Sequence, residues 1–524
     1  MKRRDFLRAS AAGGAAAIGA STIWTKRAQA VPFGETPDKH LSSMLPEVSR
    51  AESVLECFLY GGLTTWETFY CVPEFGAATD SWAYTHRTEL AAAVNTRCGY
   101  NLAEEDFYVP FANDSSGRTI FLGPALKPLR DRPDVTNRMR IVVNRHNLSP
   151  HEAAIPLAAS GRLLGNPALA GLGTHVGRYF VERDVNSAHP APYAYGFATG
   201  SGFIPNDGIL SLVAQGHHPG QARPLLVKVD AVARLQQLLA RTKVGDDAQR
   251  GNFDALMNVY FQQYGGRLKF GSQEEAVRAA KFAELLQAQT TVTKSEVIET
   301  VLDPQLFQPV HGLYCGQTNF DPPTSGQIPF ANLPDMSLEL ATHLLNHQDQ
   351  PAKFVTVVDV GIRQADGGGG YDTHSEAPFT QTRNIGNFLE QLLKRIKTPG
   401  EPEETAAGKI DLDKTMVVFN MEFGRAPVRQ PGRPGGRNHW PFGYVQVYFG
   451  GPIGPDQKGI YGQIEESGLA KVFTTPAENR IATMLAMGIW PFDAASYSGS
   501  DVQGQTEEGA AARNVIGRIL GHEV

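Results

Sequence analysis

The chain has 524 residues, 48 basic against 54 acidic side chains and a formal charge of −6, a balance that offers no basic footprint for a nucleic-acid partner. Four cysteines in that length exclude a disulfide scaffold, and the spacing of Cys57, Cys71, Cys98 and Cys315 fits no zinc motif. So long a chain buries a substantial core without staples, either as two to four domains or as one large α/β domain with insertions.

In chain order, the first element stands apart from the fold. Residues 1–30 place Arg3 and Arg4 ahead of Phe6 and Leu7, then a weakly apolar Ala/Gly-rich stretch to Trp24, then Ala28 and Ala30 as an A-x-A cleavage site. This is the pattern of a twin-arginine signal peptide, too short and too Gly-rich for a membrane span. Its six basic residues and Asp5 leave with it, which moves the formal charge to −11. The twin-arginine translocase passes folded chains, so a metal or cofactor can be loaded before export to the periplasm. Residues 31–524 then read as a single large α/β domain.

Five β-rich runs follow: "VLECFLY" (54–60), "RMRIVVN" (138–144), "KFVTVVDVG" (353–361), "TMVVFNM" (415–421) and "YVQVYFG" (444–450). They lack clean alternation, as strands covered on both faces of a mostly parallel sheet do. Apolar residues from Phe379 to Ile396 at spacings of three and four predict an amphipathic helix over 378–397. Thr475 with Glu478 predicts a capped helix start. Strands alternating with helices point to a three-layer α/β/α sandwich. Residues 230–290 read as a helical insertion or cap, and the Pro/Gly-rich stretches 186–222 and 318–334 as long surface loops. For an exported chain the cysteines leave a Cys71–Cys98 bridge open, with Cys57 a buried strand thiol.

Four segments at predicted strand ends concentrate reactive groups, where open parallel sheets bind ligands. After the first strand, "YGGLTTWE" sets Gly61 and Gly62 for a tight turn or close approach, then Thr64, Thr65 and Glu67. After the second, "NRHNLSPHE" carries His146, His151 and Glu152; adjacent residues diverge by about 100° on a helix, so these are substrate-side candidates rather than joint metal ligands. "GGGGYDTHSE" (367–376) brings Asp372, His374 and Glu376. A carboxylate and an imidazole two residues apart on an extended segment point the same way, as a divalent metal requires, although the same segment can simply cap a helix beside an exposed histidine. Last, "EFGRAPVRQPGRPGGRNHWP" (422–441) offers Glu422, arginines at 425, 429, 433 and 437, and His439. That is an imidazole for a metal and guanidinium groups for anionic oxygens, or else a solvated basic loop. "CVPEF" (71–75) opens like the sulfatase formylglycine motif, but Phe75 stands where arginine belongs, and we reject it. His217 and His218 in "GHHPG" read as an exposed pair.

The order of "GGLT", "ETFY", "GYDTHS", "EFGRAP" and "GRNHWP" over about residues 50–495 resembles the twin-arginine-exported bacterial family called domain of unknown function 1501, of the alkaline phosphatase-like superfamily. The resemblance implies an α/β/α sandwich with one or two divalent metals at the strand ends, cleaving phosphate or sulfate esters. Carried over position by position, it makes Glu67, Asp372, His374 and His439 metal-site candidates, with Arg425 and Glu422 around them and Thr64 or Thr65 as nucleophile. Zinc, manganese or calcium would serve. Three departures stand out: Glu67 and Tyr70 replace the family's aspartates in the first motif, and Asn438 replaces the aspartate before His439. Losing two carboxylates removes charge that a two-metal cluster requires.

Two functions are therefore expected as alternatives. One is a periplasmic metal-dependent hydrolase of small anionic esters, with one metal or an altered specificity. The other is a catalytically degenerate exported binding or assembly protein that keeps the fold.

Overall fold

Every residue of Ser53–Leu59 is buried, because this strand, β1, runs through the interior of the main sheet. The computed structural model describes residues 32–75, 90–163, 170–183, 192–199, 224–229, 251–252, 255–256, 259, 333–361, 371–374, 377–433 and 435–524. The expected signal peptide, most of the helical insertion, His217, His218, Cys315 and the glycine run before Tyr371 lie outside them.

Along the chain the strands after β1 are β2 (Val109–Asn113), β3 (Thr119–Leu122), β4 (Met139–Asn144), β5 (Ala194–Thr199), β6 (Leu225–Val229) and β7 (Phe354–Asp359). They continue with β8 (Thr415–Asn420), β9 (Gly424–Arg425), β10 (His439–Trp440), β11 (Tyr444–Gly450), β12 (Gly459–Tyr461), β13 (Gln463–Ile464) and β14 (Ala470–Val472). Eight of them form the main sheet in the order β12-β4-β11-β8-β1-β7-β5-β6. The sheet is mostly parallel: β1 pairs with β7 and β8, β5 with β6 and β7, and β4 with β12, all parallel. Only β11 runs against its neighbours β4 and β8.

The five runs read from the sequence all form strands of this sheet. The stretch 186–222, expected as a surface loop, instead contains β5, an inner strand between β7 and β6. Its sequence "AYGFAT" is short and weakly apolar, and register with its neighbours, rather than propensity, makes it a strand.

The longer helices are α1 (His151–Ser160), α2 (Leu172–Arg183), α3 (Leu333–Leu345), α4 (Ala377–Lys394), α5 (Pro476–Ala486) and α6 (Glu508–Val515). The expected capping box starts α5: the Glu478 amide donates to Thr475 Oγ1 at 3.3 Å and the Thr475 amide to Glu478 Oε2 at 2.7 Å. Successive residues of β1 point to opposite faces. Leu55, Cys57 and Leu59 pack with Leu338, Leu340 and Leu344 of α3 and with Phe388 and Leu392 of α4. Val54 belongs to the opposite cluster with Val176 of α2, Ile481 and Leu485 of α5 and Val515 of α6. Glu56, on that second side, forms a buried ion pair with Arg480 of α5. With helices on both faces the strands need no polar side, which explains their continuous apolar character.

The Cys71–Cys98 bridge does not form. Cys71 is a buried thiol whose Sγ–H donates to the Thr68 carbonyl, while Cys98 is disulfide-bonded. Cys57 is the buried strand thiol expected, its pKa pushed up by burial. No helix among the described residues is long and apolar enough to cross a membrane.

Candidate metal centre

Because β1, β4, β7 and β8 share one direction, the loops that leave their carboxyl ends gather on one edge of the sheet. The chain between β8 and β11 doubles back there as a small antiparallel ribbon, β9 with β10, which sets His439 opposite Arg425. The polar, glycine- and proline-rich composition of residues 422–441 is thus that of a ribbon folded over strand ends.

Asp372 is held from several sides. The preceding Tyr371 donates its amide to the Tyr60 carbonyl at 2.7 Å and its hydroxyl to Asp359 Oδ2 at 2.7 Å, and Gln381 Nε2 donates to the Tyr371 carbonyl at 2.8 Å. Gly61 lies so close that a Cβ on it would stand 2.1 Å from the Asp372 nitrogen, and its φ of +104° is one that L side chains rarely adopt. The sequence asked for a close approach at this glycine; what it approaches is the Asp372 backbone.

Four cationic or nitrogen groups converge on one oxygen. Asp372 Oδ1 lies 2.9 Å from His374 Nε2, 3.2 Å from His439 Nε2, 3.5 Å from His151 Nε2 and 2.5 Å from an Arg425 terminal nitrogen. The other ring nitrogen of each histidine is already committed. Nδ1 of His439 meets the Ser149 carbonyl at 2.9 Å, Nδ1 of His151 meets Glu422 Oε1 at 2.8 Å, and Nδ1 of His374 meets Gln430 Oε1 at 2.8 Å. All three partners are acceptors, so each Nδ1 carries the proton; Nε2 then donates a second N–H to Asp372 when the ring is charged, or offers its lone pair to a metal when the ring is neutral. Metal-ligating histidines are held in this way. One ligand atom each from His151, Asp372 and His439 lies within 4.8 Å of the others, so these residues can hold a metal ion. His374 adds a third imidazole beside Asp372.

Electrostatics bind the group together. Burial acts to raise the Asp372 pKa, but His151, His374, His439 and Arg425 overcome it and hold the carboxyl far below the usual range. Burial likewise opposes charging of His151, yet Asp372 and Glu422 hold it up at about 9. His439 is pulled down, first by burial and then by Arg425 and His151. Phe423 stacks on His439 at 4.4 Å and Tyr60 on His151 at 5.3 Å, which gives the group apolar walls.

Of the residues expected from sequence, Asp372, His374 and His439 come together, with Glu422 and Arg425 directly behind them. Glu67 does not join them. Its carboxylate is buried against Arg437, which donates to both oxygens, and it also accepts from Thr64 Oγ1 at 2.7 Å. Thr64 is fully buried and its hydroxyl also accepts from Arg437 at 2.8 Å. Thr65 is buried too, with a hydroxyl that has no hydrogen-bond partner among the described residues. Tyr70 turns away, donating to Asp114 at 2.6 Å.

The arginines of the ribbon that were expected to face an anion are partly spent elsewhere. Arg425 is completely buried, and besides Asp372 it donates to the carbonyls of Gly61, Gly62 and Arg437. His146 is satisfied at both nitrogens, by the Glu422 carbonyl at 2.7 Å and the Leu148 amide at 3.1 Å; burial draws its pKa down to about 4, and it is a structural residue. Glu152 is exposed. His151, a substrate-side candidate from the sequence, is a ligand candidate in the fold: its partner is Asp372, more than two hundred residues away, and not the adjacent Glu152.

Residues 352–490 match the family model described as a protein of unknown function (DUF1501). The DUF1501 span contains Asp372, His374, Glu422, Arg425 and His439, and it carries the "GYDTHS", "EFGRAP" and "GRNHWP" motifs on which the resemblance rested. The Gly61–Glu67 segment and His151 lie before it. No curated protein and no solved structure matches the chain.

Proposed function

We propose that this chain is a metal-dependent hydrolase of phosphate or sulfate esters with the three-layer sandwich of the alkaline phosphatase-like superfamily, exported through the twin-arginine pathway to the periplasm. The observation that carries the metal is the convergence of three imidazole Nε2 atoms on Asp372 Oδ1 with every Nδ1 already donating. A set rich in nitrogen donors with one carboxylate suits zinc or manganese better than calcium, which prefers oxygen ligands. A divalent ion there would polarise an ester oxygen and acidify water. His151, His439 and Asp372 would hold it, with His374 beside them. Arg425 fixes the Asp372 carboxylate, while Phe423 and Tyr60 keep the imidazoles in place and exclude water from one side.

The buried, hydrogen-bonded Thr64 hydroxyl favours water over a threonine as the attacking group. The same observation supports a second reading, a binding protein that keeps the metal but has lost catalysis. Elemental mass spectrometry of protein purified from the exported fraction, beside His151→Ala and His439→Ala, tests the centre. Near-stoichiometric zinc or manganese that falls in both variants is expected, followed by turnover in a screen of phosphate and sulfate monoesters and diesters. Folded wild-type protein without metal would overturn the proposal; metal without turnover would select the binding reading.

A further inference from the structure

Glu422 is the carboxylate with the least evident reason to be where it is. It is wholly buried; Oε1 accepts from the Gly61 amide at 2.7 Å and from His151 Nδ1 at 2.8 Å, while Oε2 has no hydrogen-bond partner among the described residues. A buried carboxylate oxygen without a donor is costly. The guanidinium that would be its obvious partner is committed to Asp372 and three backbone carbonyls.

We infer that Glu422 is a positioning residue for the metal centre, acting through His151. Its hydrogen bond fixes the tautomer that turns the His151 Nε2 lone pair toward Asp372, and its charge makes that imidazole a stronger donor. It also supplies negative charge. Glu67 is claimed by Arg437 and Arg425 offsets the charge of Asp372, so Glu422 adds a negative charge to the group from behind His151. The inference rests on the metal reading proposed above. It adds that a second carboxylate acts on the metal from one imidazole away.

A double-mutant cycle tests it on the full chain. Zinc affinity is measured by competition with a chromophoric chelator for wild type, Glu422→Gln, His151→Ala and the double variant, with cobalt absorption reporting ligand number and denaturant unfolding of the metal-free proteins reporting stability. Glu422→Gln is expected to weaken zinc binding on the order of 10–100-fold and to leave the cobalt band intensity near wild type. In the His151→Ala background the same change should have no further effect, because the path from Glu422 to the metal has been cut. Equal losses in both backgrounds, or wild-type affinity in Glu422→Gln, would overturn the positioning role while leaving the metal centre standing. If wild type binds neither zinc nor cobalt, the metal reading itself fails. Should Glu422→Gln unfold, Glu422→Asp replaces it in the cycle, with the same expectation of coupling to His151.

Discussion

Two histidines five positions apart show how little a residue type says by itself. His146 gives both nitrogens to the backbone, whereas His151 gives one to Glu422 and turns the other toward Asp372. His146→Ala should therefore cost about 1–3 kcal/mol of stability through lost buried hydrogen bonds and leave metal content near wild type, as denaturant unfolding and elemental analysis would report. Gly61 is the opposite case, a residue without a side chain on which the centre depends. Gly61→Ala places a methyl 2.1 Å from the Asp372 nitrogen at a φ of +104°. Bound zinc should fall although no ligand has been removed, and stability should fall with it by about 1–3 kcal/mol from backbone strain alone. Retention of full zinc occupancy in Gly61→Ala would show that the Asp372 segment can move without harm.

At the scale of elements, the strand-end loops are stapled together by buried charge. Arg425 links the loop after β1 to the Asp372 segment, and Arg437 links the β9–β10 ribbon to Glu67. The Glu67–Arg437 pair is 97% buried on both sides, so removing one partner leaves an uncompensated ion in a dry place. Glu67→Ala is expected to destabilise the fold by about 3–5 kcal/mol, the usual cost of breaking a buried pair. Cobalt bound to the purified variant should nonetheless keep its absorption spectrum, since Glu67 lies outside the ligand group. A changed spectrum would return Glu67 to the centre. Sequence made this residue a ligand candidate because its motif position and its carboxylate fit; the guanidinium that claims it comes from 370 residues further on, where spacing arguments do not reach.

For the whole molecule, pH exposes how the second core is closed. His175 on α2 is buried against Phe33 and Tyr497, and burial draws its pKa down to about 3. The native state then binds fewer protons than the unfolded one between the ordinary histidine value and about 3. Its contribution is fully present above pH 6.5 and is lost as pH falls through that window, by up to roughly 5 kcal/mol at about 1.36 kcal/mol per unit. His175→Phe should flatten the acid limb of a stability–pH profile measured by denaturant unfolding; an unchanged limb would place the acid sensitivity elsewhere. Asp359 acts in the other direction: burial raises it to about 6, so its contribution declines as pH rises from the ordinary carboxylate value through 6.

Local pattern was enough for the long apolar strands, the amphipathic α4 and the capped α5, while the set Glu67, Asp372, His374 and His439 came from the family resemblance. Each of those elements depends on neighbours within a turn or two. Tertiary structure alone decided the rest. It made a strand of Ala194–Thr199 by pairing it on both sides, reversed β11 against its neighbours, gave Glu67 to Arg437, and brought His151 to Asp372. In each of these the deciding partner lies far away in the chain. The residue's chemistry is written in the sequence, but its role is set by which distant charge or strand reaches it first in the folded molecule.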